Sequence, residues 1–353
     1  MEKKLRIGWV GAGFVGQVAH LSSYIEIPEI DIVGLAELRP NLGELACAKY
    51  NIPKLYDDHL SLLEDGDLDA VVAIVRREHT ASVALDVLTK GIPLFTEKPM
   101  APTLEQGAML VRQANKNRCL YSTGFMRRHD EGVQIAKALL DELVATNELG
   151  DVLFFRCYCF GGGDYCNITG YTKTSEPQPR HLILPIAPDW LPKSFENEYE
   201  RFSNVFVHDI NLMRYLVDRT PLVTHVDYRK FSGSVSFDFG NYPGVFEFAH
   251  LDTTRSWQEG VEIVFETGRL VLELTPAFLR NQPACVKVYK EKNNGTTEMI
   301  NPRGDWTWAF KRQAQAFVNN LLHGTNSLAS GADGLEDLRL VEKIWAKICN
   351  LED

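Results

Sequence analysis

Residues 95–102 read FTEKPMAP. An apolar run reaches Phe95, and then Glu97, Lys98 and Pro99 follow one another directly. Proline drives the residue before it out of the helical region, so Lys98 is held extended. X–Pro is also where cis peptide bonds occur. An ammonium fixed in this way is either a surface turn with a chance ion pair or a group aimed at a reacting atom. A second candidate lies in RFSNVFVHDINLMRYLV, residues 201–217. There Asn204, His208 and Asn211 interrupt an apolar background at i, i+4 and i+7, one face of a single helix. Polar groups on such a face need partners, water or a ligand. A histidine with a reference pKa of about 6.5 suits a general base; the same residue is also commonly a satisfied core histidine.

The elements that position these residues are legible from the N-terminus. LRIGWV reads as a buried strand, GAGFVG follows, and QVAHLSSYI continues as a helix. Strand, GxGxxG and helix in this order are the dinucleotide fingerprint. Gly11 permits the tight turn, Gly13 close approach of a pyrophosphate, and Gly16 close helix–strand packing. Phe14 and Val15 complete the loop, and the helix start offers free N–H groups to phosphate. IDIVGLAE ends at Glu37, near the spacing of the acid that binds the adenosine ribose hydroxyls. This favours NAD, with NADP possible, because Arg39 beside it is a candidate for a 2′-phosphate or for stacking on adenine. Further strands (LDAVVAIV, IPLFTE, CLYSTGF) alternate with helical segments up to about residue 125. The pattern predicts a doubly wound parallel Rossmann sheet over residues 1–125, with ligands at the carboxyl ends of its strands. Lys98 falls just past such an end. His79 either helps hold the nicotinamide half of the cofactor or simply begins its helix. Glu97 is placed with the cofactor set.

From residue 126 to 353 the pattern changes. An amphipathic helix, EGVQIAKALLDELV, leads into alternating strands such as SVSFDFG and GVFEFAHL, and a hairpin is expected around Thr267 and Gly268. This predicts an α+β domain with a largely antiparallel open sheet, closed by C-terminal helices. Residues 161–201 carry a glycine triplet, five prolines from Pro177 to Pro192, and Tyr165, Tyr171 and Trp190. So long a stretch without a pattern reads as a cover over a substrate or as a subunit-contact arm. The net charge of -10 argues against nucleic acid or an anionic membrane as the main partner. No apolar stretch approaches a membrane span, and no signal-peptide pattern is present. Seven scattered cysteines fit a reduced, cytoplasmic protein, and the Cys157, Cys159 and Cys166 cluster lacks a fourth metal ligand. No metal is expected.

GAGFVG, EKP at Glu97 to Pro99, GFMRRHD at Gly124 to Asp130, HDIN at His208 to Asn211 and FETGRLVL together resemble the Gfo/Idh/MocA oxidoreductases. The resemblance spans nearly the whole chain, and FMRRHD is especially similar to the inositol dehydrogenase branch. It implies hydride transfer between a polyol, sugar or cyclitol and a nicotinamide, with Lys98 catalytic before a cis proline and His208 as base. It also implies a homodimer or homotetramer. Asn204 stands where the family usually has an aspartate, and Val75 and Arg76 where it often has a Pro-Asn pair. Arg127 and Arg128 either bind substrate hydroxyls or the cofactor, or form a hinge ion pair. Asn204 and Asn211 orient His208 or bind hydroxyls, and Tyr165 and Trp190 belong to the expected substrate cover. Two alternatives are a glycosidase using held NAD and a non-catalytic dinucleotide-binding regulator.

Overall fold

The structure, a computed structural model, describes residues 4–65, 67–162, 169–177, 179, 184–253, 256–292 and 294–351. The chain begins with β1 (Leu5–Val10), a π-helical stretch (Gly16–Leu21) and α1 (Ser22–Tyr24). Then come β2 (Ile30–Ala36), α2 (Pro40–Tyr50), β3 (Leu55–Tyr56), α3 (His59–Asp65) and β4 (Ala70–Ala73). They are followed by α4 (Arg77–Thr89), β5 (Leu94–Thr96), α5 (Leu104–Asn117) and β6 (Tyr121–Thr123). A 3-10 turn, Met126–His129, leads to α6 (Glu131–Thr146) and β7 (Val152–Gly161). Further on are a 3-10 turn (Lys193–Phe195), α7 (Glu196–Val205) and α8 (Val207–Val217). Strands β8 (Leu222–Arg229), β9 (Ser232–Asp238), β10 (Pro243–His250), β11 (Trp257–Phe265) and β12 (Gly268–Leu274) follow. The chain ends with β13 (Cys285–Glu291), β14 (Thr297–Ile300), α9 (Ala309–His323) and α10 (Gly331–Ile348).

Two compact units result. The first comprises Met1–Phe125, Ile168–Trp190 and Phe310–Leu338. Its six strands are parallel, in the order β3-β2-β1-β4-β5-β6. That order is the doubly wound arrangement with its switch point between β1 and β4. Successive residues of a strand face opposite sides, and two cores follow. Ile7, Trp9, Val72 and Phe95 pack with Ala314, Phe317 and Val318 of α9. Val10, Val71, Ala73 and Leu94 pack with α4 and α5 through residues such as Ala84, Val87 and Leu110. Helix starts are set locally: the Thr103 side chain accepts the Gln106 N–H at 3.2 Å, capping α5. The expected contiguous domains 1–125 and 126–353 are therefore corrected, because segments from both 168–190 and 310–338 build the first unit.

The second unit comprises Met126–Asn167, Leu191–Ala309 and Arg339–Asp353. Its eight strands run β14-β13-β12-β11-β7-β10-β9-β8, antiparallel apart from the β7–β10 pair. One face is apolar: Phe155, Cys157 and Cys159 alternate along β7, with Phe246 and Phe248 beside them on β10. Helices α6 and α8 pack on this sheet. The other face is polar and carries ion pairs such as Arg156 with Glu247. The hairpin expected at Thr267 and Gly268 is β11–β12. The single helix expected across 201–217 is instead two, meeting at Phe206. Phe206 lies against Phe202, Phe246 and Phe248 with centroids 5.4, 5.9 and 4.9 Å away, so burying this ring accompanies the break. The expected structureless insert is also corrected at both ends: β7 reaches Gly161, and helical structure resumes at Lys193.

Candidate active site

The glycine loop joins the end of β1 to the π-helical stretch. Gly11 has φ +90°, and a Cβ there would lie 2.4 Å from the Ile74 carbonyl, so only glycine fits the turn. A Cβ on Gly13 would meet nothing within 4 Å. The loop is thus open at the point where a pyrophosphate approaches the backbone, and the residues fit a dinucleotide. Glu37, buried at the end of β2, ties its carboxylate to this loop by accepting the Ala12 N–H at 2.8 Å. It also accepts from Arg39 Nε at 2.7 Å and Nη2 at 3.0 Å. Arg39, expected to meet a 2′-phosphate or stack on adenine, has its guanidinium engaged by Glu37.

Lys98 follows β5, and the Lys98–Pro99 peptide is cis. Behind it lies a chain of fixed groups. His20, buried in the π-helical stretch, meets the Glu97 carboxylate, Nε2 to Oε1, at 2.7 Å. The other Glu97 oxygen accepts the Lys98 N–H at 3.0 Å. Burial pushes the Glu97 carboxyl up, but His20 and Lys98 outweigh it and hold it below the ordinary value. Glu97, expected among the cofactor ligands, thus has one carboxylate oxygen against His20 and the other on the Lys98 backbone. Gly124 makes room for it: a Cβ there would stand 3.1 Å from both the Glu97 Cα and Cδ. Lys98 itself is only partly exposed, and its pKa is pushed down to about 8. Burial is the largest cause; Glu97 opposes it and the Arg77 charge adds to it. His79 falls in the first turn of α4, with its Nε2 3.9 Å from Glu78 Oε1.

In the second unit, His208 is the second residue of α8. Asn204 sits four residues earlier, near the end of α7. The Phe206 N–H bonds Phe202 O at 2.9 Å, closing α7, and the Ile210 N–H bonds Phe206 O at 3.2 Å, opening α8, so the two helices meet at Phe206. Asn211, expected to orient His208 or bind hydroxyls, meets Arg128. Its Oδ1 accepts from Arg128 Nε at 2.7 Å, and both residues are buried. Arg128 also lies over the Tyr215 ring. Arg127 takes the ion-pair alternative, bonding Glu259 and donating to Thr275 O, the latter at 2.8 Å. Sequence reasoning gave no role to Asp209 or Glu259. Burial raises the pKa of both, Asp209 well above its usual range, and the charge of Arg127 opposes this for each. Two buried acids around one arginine favour retaining a proton. His20 was also missed; only its helical position opposite β5 marks it, and that needs the fold. Tyr165 lies outside the described residues, as does Cys166. Trp190 is 37% exposed and belongs to the first unit. Among the described residues there is no cluster able to hold a metal and no helix long and apolar enough to cross a membrane.

Comparison with known proteins agrees with the fold. Residues 5–125 match the model of the oxidoreductase family with the NAD-binding Rossmann fold. The chain is 24% identical over 282 residues to inositol 2-dehydrogenase/D-chiro-inositol 3-dehydrogenase of Lacticaseibacillus casei, covering 76% of this chain and 72% of that one. It is 30% identical over 217 residues to inositol 2-dehydrogenase of Salmonella typhimurium, where the match covers 61% of each. The crystal structure of myo-inositol 2-dehydrogenase from Lactobacillus plantarum superposes with a TM-score of 0.72 at 16% identity, covering 99% of this chain and 98% of that one. Residues 5–125 thus match the Gfo/Idh/MocA oxidoreductase family with its NAD-binding Rossmann fold, and the chain as a whole is similar to inositol dehydrogenases.

Proposed function

We propose that the protein is a nicotinamide-dependent dehydrogenase acting on a CH–OH group of a cyclitol, polyol or sugar. The observation that carries this is Lys98: it stands at the carboxyl end of β5, its backbone N–H held by Glu97, which His20 meets in turn, and the pKa of its ammonium is brought to about 8. The glycine loop and Glu37 would hold NAD, which would supply the hydride acceptor for the carbinol carbon. Lys98 Nζ donates a hydrogen bond to the alcohol oxygen and stabilises the negative charge that develops there. His208 is the proposed base that takes the hydroxyl proton, so that no free alkoxide has to form. The names of the similar proteins support a cyclitol as first choice. Glu37 supports tighter binding of NAD than NADP, since its carboxylate suits ribose hydroxyls and repels a phosphate.

A panel of inositols, sugars and polyols incubated with NAD tests the reading, with NADH formation as the signal. Net NADH with a free cyclitol or sugar is the expected result. Glycoside cleavage without net NADH would replace it with hydrolysis through transient oxidation, and neither activity would leave a binding regulator.

A further inference from the structure

Residues 169–177 lie along the glycine loop and the start of α2, and their contacts are specific. The Thr172 N–H donates to Gln17 Oε1 at 2.9 Å, while Gln17 Nε2 donates to Thr172 O at 2.7 Å. Tyr171 sets its ring against Phe14 of the glycine loop, edge to face, with centroids 5.0 Å apart. Lys49 Nζ donates to Gly170 O at 2.6 Å. The segment ends on Glu176. Its two carboxylate oxygens accept the N–H groups of Asn41 and Leu42, each at 3.0 Å, and the Thr174 hydroxyl donates to it at 2.7 Å.

Asn41 and Leu42 are the second and third residues of α2, whose N-cap, Arg39, makes no side-chain capping bond. Those amides are the ones a capping side chain ordinarily satisfies. They are also the ones that would draw an anion to this helix end. Here a carboxylate from about 135 residues along the chain already takes both. The place matters because α2 starts immediately after Glu37, the residue expected at the adenosine ribose. A phosphate on the ribose 2′-oxygen would need a cation or free amides at this end. Arg39 is engaged by Glu37, and the amides are engaged by Glu176.

We propose that Glu176 is a second determinant of cofactor choice: carried in on residues 169–177, its carboxylate fills the anion-binding end of α2 and so rejects the 2′-phosphate of NADP. This rests on the reading of the glycine loop as a dinucleotide site. Glu37 alone selects for a hydroxyl pair; Glu176 adds a like charge and removes the donors the phosphate would use, which is discrimination by repulsion.

The test is calorimetric titration of the full chain with NAD and with NADP, for the wild type, Glu176→Gln and Glu176→Lys. Glu176 is partly exposed on a segment outside either hydrophobic core, so neither substitution opens a cavity. The ratio of the NADP to the NAD dissociation constant is expected to fall about tenfold in Glu176→Gln and further in Glu176→Lys, the scale of removing one juxtaposed like charge. Affinity for NAD should change less than about threefold. An unchanged ratio in both variants, with the wild type binding NAD, would overturn the role of Glu176 and leave the dinucleotide site standing. Parallel loss of both affinities would make the segment a structural strap and also overturn it. A wild type that binds neither cofactor would remove the dinucleotide reading itself, and this inference with it.

Discussion

At the residue scale the proposed catalytic role of Lys98 can be tested through what surrounds it. In the proposed mechanism the ammonium keeps its proton to donate to the alcohol oxygen, and its pKa of about 8 means that it begins to lose that proton in mildly basic solution. The kcat for alcohol oxidation should therefore fall as pH rises through about 8. Glu97 is the influence that opposes burial and holds this value up. Glu97→Gln removes the negative charge while keeping an amide able to meet His20, so the basic limb should move to lower pH. A limb that stayed in place would mean that another group titrates there. Lys98→Met should leave the cofactor dissociation constant near its wild-type value and lower kcat by ~10²-fold or more, the scale of a lost acid–base or electrostatic group. Near-normal turnover would return Lys98 to the status of a surface turn.

At the scale of elements, two helix starts make separate predictions. Asp130 caps α6, its Oδ1 accepting the N–H groups of Gly132 at 2.9 Å and Val133 at 3.2 Å, and also that of Ala284 at 3.0 Å. Asp130→Ala leaves those buried donors without their acceptor and should lower stability by ~1–3 kcal/mol, read by urea denaturation. Asn204 lies near the end of α7, four residues before His208 of α8 and across the Phe206 junction. An amide there can orient an imidazole, but a carboxylate would also stabilise the imidazolium. Asn204→Asp should therefore raise the pKa on the acidic limb of kcat/KM, so that a higher pH is needed to free the base. An unmoved limb, with His208→Ala inactive, would assign Asn204 to packing or to substrate. The glycine loop and the Glu97-Lys98-Pro99 run are legible in the sequence because their geometry is set within a few consecutive residues. The break at Phe206 is not, since polar spacing runs through it unchanged and only the sheet beneath shows why the ring must turn inward. The fate of Asn211 and Arg128 was hidden for the same reason: their spacing gives a face, and their partners come from distant segments.

At the scale of the whole molecule, the first unit is not a contiguous domain. Its family match ends at residue 125, yet its core does not. Ala314, Phe317 and Val318 of α9 are 2% exposed or less and share a core with Trp9, Val72 and Phe95. Phe317 stands 5.5 Å from Phe95 between ring centroids, and Phe310 stands 5.4 Å from His20, the residue that braces Glu97. The amphipathic spacing of α9 announces a buried face but not which sheet receives it, so sequence pattern alone assigns it to the wrong domain. A fragment of residues 1–125 would bare this side of the β1, β4 and β5 sheet. Each large apolar side chain left without its cover forfeits ~1.5–3 kcal/mol, and several such losses match the whole stability of a small domain. The fragment should therefore show no cooperative thermal transition, even though it carries the complete glycine loop, Glu37 and Lys98. Joining residues 310–338 to it through a flexible linker should restore a transition, because those residues supply the missing face. Cooperative unfolding of residues 1–125 alone would show that the sheet closes without α9, and the bracing of His20 by Phe310 would then be dispensable to the placement of Lys98.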